Sequence, residues 1–212
     1  MDDLVLPYAH ASLPGTAGNA GVYILFGEDI AAARDMGRTE MLLEFEAIKI
    51  LHPAHRIGSS PCPVGDLDGD GYAELGLTAP EASLAEGVLY VVYGHPGGWQ
   101  AEASVTSLQP SFRVEGAAGG QRMGTACAAP IDLNGDGLND LVVSAPGGGV
   151  EGQGRILGFV NDGQDSWSGE TLNSASADWF IDGPTDGGGF FGLSMASLGD
   201  HDGDGMGDFA IY

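Results

Sequence analysis

An all-β fold of repeated four-stranded antiparallel sheets is expected from three observations. One acidic loop pattern starts at Asp66, Asp132 and Asp200, so that its copies stand 66 and 68 residues apart. Short apolar runs bounded by glycine, proline and acidic turns recur in step with those loops, as strands do. Helical periodicity is nearly absent. A repeat of this length with four short strands matches one blade of a β-propeller, and about three such repeats make an incomplete propeller. A parallel β-helix would repeat roughly every nine residues, and a β-sandwich carries no period of this kind.

Taken in order, the chain opens inside a blade. Asp3-Leu4-Val5-Leu6-Pro7 aligns with Asp140-Leu141-Val142-Val143-Ser144, which makes it a second strand and puts Asp3 at the end of a loop that is not otherwise present. Asp3 is therefore not counted as a site. A glycine-led third strand follows at Gly21 to Gly27 and recurs at Gly87 to Gly94 and Gly154 to Phe159. Between Glu28 and Gly37, Ile30 to Arg34 reads equally as a short helix stopped by Gly37 or as an irregular insertion. Ile57-Gly58-Ser59, Met123-Gly124-Thr125 and Phe191-Gly192-Leu193 precede the acidic loops, and Thr78-Ala79-Pro80 and Ser144-Ala145-Pro146 follow them. A more polar strand with an aromatic residue closes each unit, at Phe112-Arg113-Val114 and Trp179-Phe180-Ile181. The expected divisions are a partial blade over 1–55, blades over 56–121 and 122–189, and a partial blade over 190–212. A cut within a strand leaves unpaired backbone groups, so a piece of a longer propeller is expected in preference to several copies closing a ring.

The loops carry the chemistry. Oxygen side chains stand at positions 1, 3, 5 and 9: Asp66, Asp68, Asp70 and Glu74; Asp132, Asn134, Asp136 and Asp140; Asp200, Asp202, Asp204 and Asp208. Position 6 is Gly71, Gly137 or Gly205, supplying the positive φ that lets the backbone fold around an ion. The position-7 carbonyls of Tyr72, Leu138 and Met206 would complete the shell. Calcium suits such a set because it takes six to eight oxygens in flexible geometry, whereas magnesium demands a near-ideal octahedron. An EF-hand requires glutamate at position 12 and flanking helices, but Leu77, Val143 and Ile211 stand there in strand-like runs. A metal-free Asp-Gly hairpin would need only one or two of these oxygens. Three calcium sites are expected.

These features together resemble the FG-GAP repeats of the integrin α-subunit N-terminal β-propeller and related bacterial proteins. Phe191-Gly192 and Ala145-Pro146 echo the family's name, and Asp132 to Asp140 fits its calcium loop residue by residue. The resemblance covers nearly the whole chain. It implies a propeller whose calcium loops join the first and second strands of each blade on one face of the disc. Glu74 replaces the usual aspartate at position 9, and Asn134 the usual aspartate at position 3; both keep an oxygen.

Composition bounds the remaining readings. Thirty-seven glycines fit a turn-rich β protein, and 43% hydrophobic residues argue against disorder. Thirty acidic against seven basic residues give a net charge of −23, which three bound calcium ions would reduce to −17. Nucleic acid and anionic membranes are therefore poor partners. No apolar run is long enough to cross a membrane as a helix. Cys62 and Cys127 occupy nearly matching positions in neighbouring first strands and are expected as small core residues, since a bridge requires those strands to face each other closely.

Catalysis has little support. His10, His52, His55, His95 and His201 are scattered; His52 and His55 are expected to face solvent, and His201 to point away from its loop. Gly147-Gly148-Gly149 lacks the lysine of a phosphate-binding loop. Trp99 and Trp167 recur at one repeat position and suit packing between blades. The expected function is a non-enzymatic calcium-binding module at the cell surface or outside the cell, serving adhesion by binding a protein or glycan. Its partners would also include the remaining blades or further copies of itself. A location outside the cell rests on the millimolar calcium available there. Met1-Asp2-Asp3 does not begin a signal peptide, so any signal would lie upstream. The alternative is the propeller part of a secreted lipase or polysaccharide lyase.

Overall fold

The computed structural model describes residues 4–8, 21–25, 31, 48–51, 55–96, 102–163, 167–186 and 189–212. The described chain is nearly all β, in antiparallel sheets that follow the repeat. In the first, β1 (Leu4–Tyr8), β2 (Gly21–Leu25) and β3 (Ile48–Leu51) run up and down. The second contains β4 (Pro61–Gly65), β5 (Glu74–Ala79), β6 (Val88–Val92) and, after β7 (Glu102–Ser104), β8 (Phe112–Glu115). The third contains β9 (Cys127–Ile131), β10 (Asp140–Ala145), β11 (Arg155–Phe159) and, after β12 (Thr171–Leu172), β13 (Trp179–Asp182). β14 (Met195–Gly199) and β15 (Asp208–Ile211) begin another. These are successive four-stranded blades of an incomplete propeller, with each acidic loop between a first and a second strand.

The two short strands β7 and β12 leave their own repeat. β7 pairs in parallel with β3 of the preceding sheet, and β12 pairs in parallel with β8. The connection between third and fourth strands of one blade thus adds an outer strand to the sheet before it, the fourth described strand of the first sheet and the fifth of the second. It covers an edge that would otherwise present unpaired backbone groups.

Side chains alternate between the two faces of each strand, so both faces of a middle blade pack against neighbours. On β6, Val88, Tyr90 and Val92 pack with Val22, Ile24 and Ile50 of the preceding sheet. Leu89 and Val91 point the other way, toward Leu141, Val143, Leu157 and Phe159 of the following blade. Burial on both faces explains why these strands read as continuous apolar runs. Trp167 seats against Phe112 across the blade boundary, with ring centroids 5.3 Å apart, as expected of a packing residue. Trp99 lies outside the described residues, as do Asp3, His52 and, except Ala31, the Ile30 to Arg34 segment.

Gly58, Gly124 and Gly192, which head the first strands, share a positive φ of 78–85°. A side chain on Gly58 would also strike Val22 and the Gly21 carbonyl of the preceding blade. That close approach is the physical reason for a glycine in the motif.

Two expectations are corrected. Cys62 and Cys127 form a disulfide, with Cα atoms 5.7 Å apart. The inner strands β4 and β9 run side by side closely enough to allow it, a relation between blades that strand pattern alone does not reveal. His55 does not face solvent freely; its Nδ1 lies 2.7 Å from the hydroxyl of buried Tyr90, and the two rings stack. Burying the phenol group requires a polar partner, and His55 is positioned to be one.

Candidate metal centre

The acidic loops fold back on their own carboxylates. In the first, Asp66 Oδ1 accepts the N–H of Gly69 at 2.7 Å and Oδ2 that of Gly71 at 2.9 Å. Asp68 Oδ1 accepts from Asp70 N–H, and Asp70 Oδ1 from Tyr72 N–H. The second loop repeats the scheme through Asp132, Asn134 and Asp136, and the third through Asp200, Asp202 and Asp204. Gly71, Gly137 and Gly205 have φ of 89–90°, and a Cβ there would meet nothing within 4 Å. Backbone conformation, and not lack of space, therefore calls for glycine. Position 4, Gly69, Gly135 or Gly203, is also left-handed, a second requirement that the ligand pattern does not announce.

The position-9 residue enters from the second strand. The ladder shifts register beside it in each blade, between Pro63 and Gly65, between Asp140 and Val142, and between Ser197 and Gly199, with the extra residue on the first strand. Such a bulge bends the strand and re-aims the side chain at its edge. Each of these carboxylates then accepts the N–H of position 2: Leu67 to Glu74 at 2.6 Å, Leu133 to Asp140 at 2.6 Å, and His201 to Asp208 at 2.8 Å. His201 itself is exposed and contributes no ring nitrogen to the cluster, as expected.

The three loops differ in what they gather. In the first, Asp66, Asp68, Asp70 and Glu74 each place a carboxylate oxygen within 4.8 Å of the others. Glu74 is buried, and its Oε1 has no hydrogen-bond partner. Burial, with Asp68 and Asp66 adding repulsion, pushes its pKa from 4.5 up to about 7. An orphaned buried oxygen beside three carboxylates is the donor set of a hard cation that would satisfy the oxygen and neutralise the repulsion. In the third loop Asp200, Asp202 and Asp208 converge in the same way, while Asp204 stands outside the group. The second loop, with Asn134 in place of an acid, forms no such group of three among the described residues. There Asp140 is fully buried, and both of its oxygens are taken, Oδ1 by Asn161 N–H at 2.7 Å and Oδ2 by Leu133. Burial raises its pKa. Asp132 is also pushed up by desolvation, but the N–H groups of Gly137 and Gly135 prevail and hold it below the usual range.

Tyr72 and Met206 expose their side chains, and Leu138 is half-buried. All three belong to the cluster only through their backbone. Asn161, which the sequence pattern did not single out, is 4% exposed and reaches both the first and second loops.

Comparison with known proteins agrees with this loop geometry. Residues 123–159 match the FG-GAP repeat, a span that begins at Met123-Gly124 and runs through the second loop to the end of β11. The chain carries an FG-GAP repeat. It is similar to integrin alpha-IIb of Mus musculus, 32% identical over 155 residues, covering 70% of the chain and 14% of that protein. It is equally similar to phosphatidylinositol-glycan-specific phospholipase D of Bos taurus, 32% identical over 196 residues, covering 87% of the chain and 22% of that protein. Integrin alpha-PS5 of Drosophila melanogaster is 37% identical over 92 residues, 43% of the chain and 9% of that protein. The FG-GAP chain thus spans about a fifth or less of the length of these relatives. No described helix of the FG-GAP chain is long and apolar enough to cross a membrane.

Proposed function

We propose that the chain is a calcium-binding β-propeller module that presents a protein- or glycan-binding surface outside the cell or at its surface, without catalytic activity of its own. The observation that carries this reading is the first loop, where buried Glu74 keeps an unpartnered oxygen beside Asp66, Asp68 and Asp70. The proposed ligands are Asp66, Asp68, Asp70, Glu74 and the carbonyl of Tyr72; Asp132, Asn134, Asp136, Asp140 and the carbonyl of Leu138; and Asp200, Asp202, Asp204, Asp208 and the carbonyl of Met206. Bound calcium supplies positive charge and oxygen-directed cross-links. The chain's own residues fix the loop shape through backbone N–H groups and hold each strand junction at its bulge. Similarity to integrin α subunits supports the adhesion role.

Similarity to the phospholipase over 87% of the chain favours a second reading, in which the propeller accompanies a catalytic domain. The full open reading frame separates the two: an appended catalytic domain supports the second, and an immunoglobulin-like stalk the first.

Calcium titration followed by calorimetry and thermal melting tests the metal reading. Melting temperature should rise with free calcium by mass action and fall in chelator. Asp136→Ala should remove one binding event and leave the others. Identical melting curves in chelator and millimolar calcium would refute the proposal.

A further inference from the structure

We infer that the first and second loops bind cations cooperatively, with Asn161 as the positioning residue that couples them; the inference rests on the calcium reading above. Asn161 lies at the end of β11, where its backbone N–H donates to Asp140 Oδ1 of the second loop at 2.7 Å. Its side-chain Nδ2 donates across the blade boundary to the carbonyl of Leu67 at 2.5 Å, and to the carbonyl of Asn139 at 3.1 Å. Leu67 in turn donates its N–H to Glu74 Oε2 at 2.6 Å. The position-9 carboxylates of two adjacent loops are therefore joined through the N–H and side-chain amide of Asn161 and the carbonyl and N–H of Leu67.

A second bond runs beside this relay. Asn139 Nδ2, from position 8 of the second loop, donates to the carbonyl of Asp66 at 3.0 Å. The preceding blade lacks the Asn161 contact. The strand register makes Gly94 the counterpart of Asn161 in the preceding blade, and a glycine has no side chain with which to reach back.

The sign of the coupling follows from what each contact fixes. A cation held by the second loop immobilises Asp140, hence Asn161, hence Leu67, whose carbonyl Asn161 holds and whose N–H orients Glu74. The first loop then pays less ordering entropy when it binds, and the benefit is reciprocal by linkage. Electrostatics acts in the opposite direction, because filling one loop removes negative charge from near its neighbour. That opposing effect is screened by salt, whereas a buried hydrogen-bonded relay is not.

The test measures the first loop alone. Tyr72 is the aromatic residue among the position-7 residues, so terbium seated in the first loop can be excited through it, and calcium affinity is read by displacement. Four proteins are compared at physiological and raised salt: the native chain, Asp136→Ala, Asn161→Ala, and the double variant. Asp136→Ala should weaken the first loop by about fivefold or more in the native background. It should have a much smaller effect when Asn161 is already alanine. Charge removal is common to both backgrounds and cancels in this cycle. A loss of equal size in the two backgrounds, or no loss in either, overturns the coupling while leaving the calcium sites standing. Absence of any terbium signal or calcium heat in the native chain overturns the metal reading itself. If Asn161→Ala does not fold by circular dichroism, Asn139→Ala replaces it, because it cuts the parallel bond from a half-buried position; equal losses there overturn the proposal in the same way.

Discussion

Glu74 stands where the other two loops carry aspartate; like them it accepts the position-2 N–H, here from buried Leu67, while its other carboxylate oxygen remains unpartnered among the described residues. In chelator this group has a definite consequence. Its unfolded-state pKa of 4.5 rises to about 7 on folding, chiefly through burial, so the folded chain retains the proton over that interval and the unfolded chain does not. Stability from this group is fully present below pH 4.5 and is lost as pH rises to 7, by about 3 kcal/mol. Glu74→Gln mimics the neutral form and should flatten that part of the profile. Urea unfolding at several pH values in chelator checks it, and a native profile already flat between those limits counts against the assignment. The acidic loops at this scale were legible because their oxygen side chains recur at fixed spacing along a short turn. Asn161 was not, because its importance lies in a contact with Leu67 far away in sequence.

At the scale of the element, the apolar runs foretold the strands well, since burial on both faces demands uninterrupted hydrophobic sequence. The left-handed turn at Ser83, Leu84 and Ala85 and the borrowed strands β7 and β12 escaped notice. They are short, and their pairing is decided by the neighbouring blade and not by their own residues. Within β11, Gly158 has a reason that pattern alone does not disclose. A Cβ on it would lie 2.0 Å from the Trp179 indole opposite, in register on β13. Trp179 is itself stacked on Phe209 of the next sheet, with centroids 6.1 Å apart, and cannot retreat cheaply. Gly158→Ala should therefore destabilise the chain by about 1–3 kcal/mol, as overpacking does. An unchanged urea midpoint would show that the indole has room to move.

For the whole molecule, the Cys62–Cys127 disulfide closes a segment with a sequence separation of 65 and ties two adjacent blades at their inner strands. The chain-entropy model assigns such a closure about 4 kcal/mol, although measured values commonly fall lower. Replacing both cysteines with serine should lower stability by roughly 2–4 kcal/mol. The acidic loops should keep their calcium stoichiometry, since neither cysteine is among the proposed ligands. Denaturant unfolding checks the first outcome and calorimetry the second; equal stability with and without the bridge would show that blade packing alone sets the relation. Repeat period and strand number disclosed the global architecture, but the cross-blade staple depended on a distance that emerges only once blades stack.

The strand that each repeat lends backward also imposes a direction on assembly. The rim of one sheet is sealed only after most of its successor has been made, because the lent segment comes from the connection preceding that successor's last strand. During synthesis the growing array therefore always carries one unfinished margin, which advances by a blade at a time toward the carboxyl end.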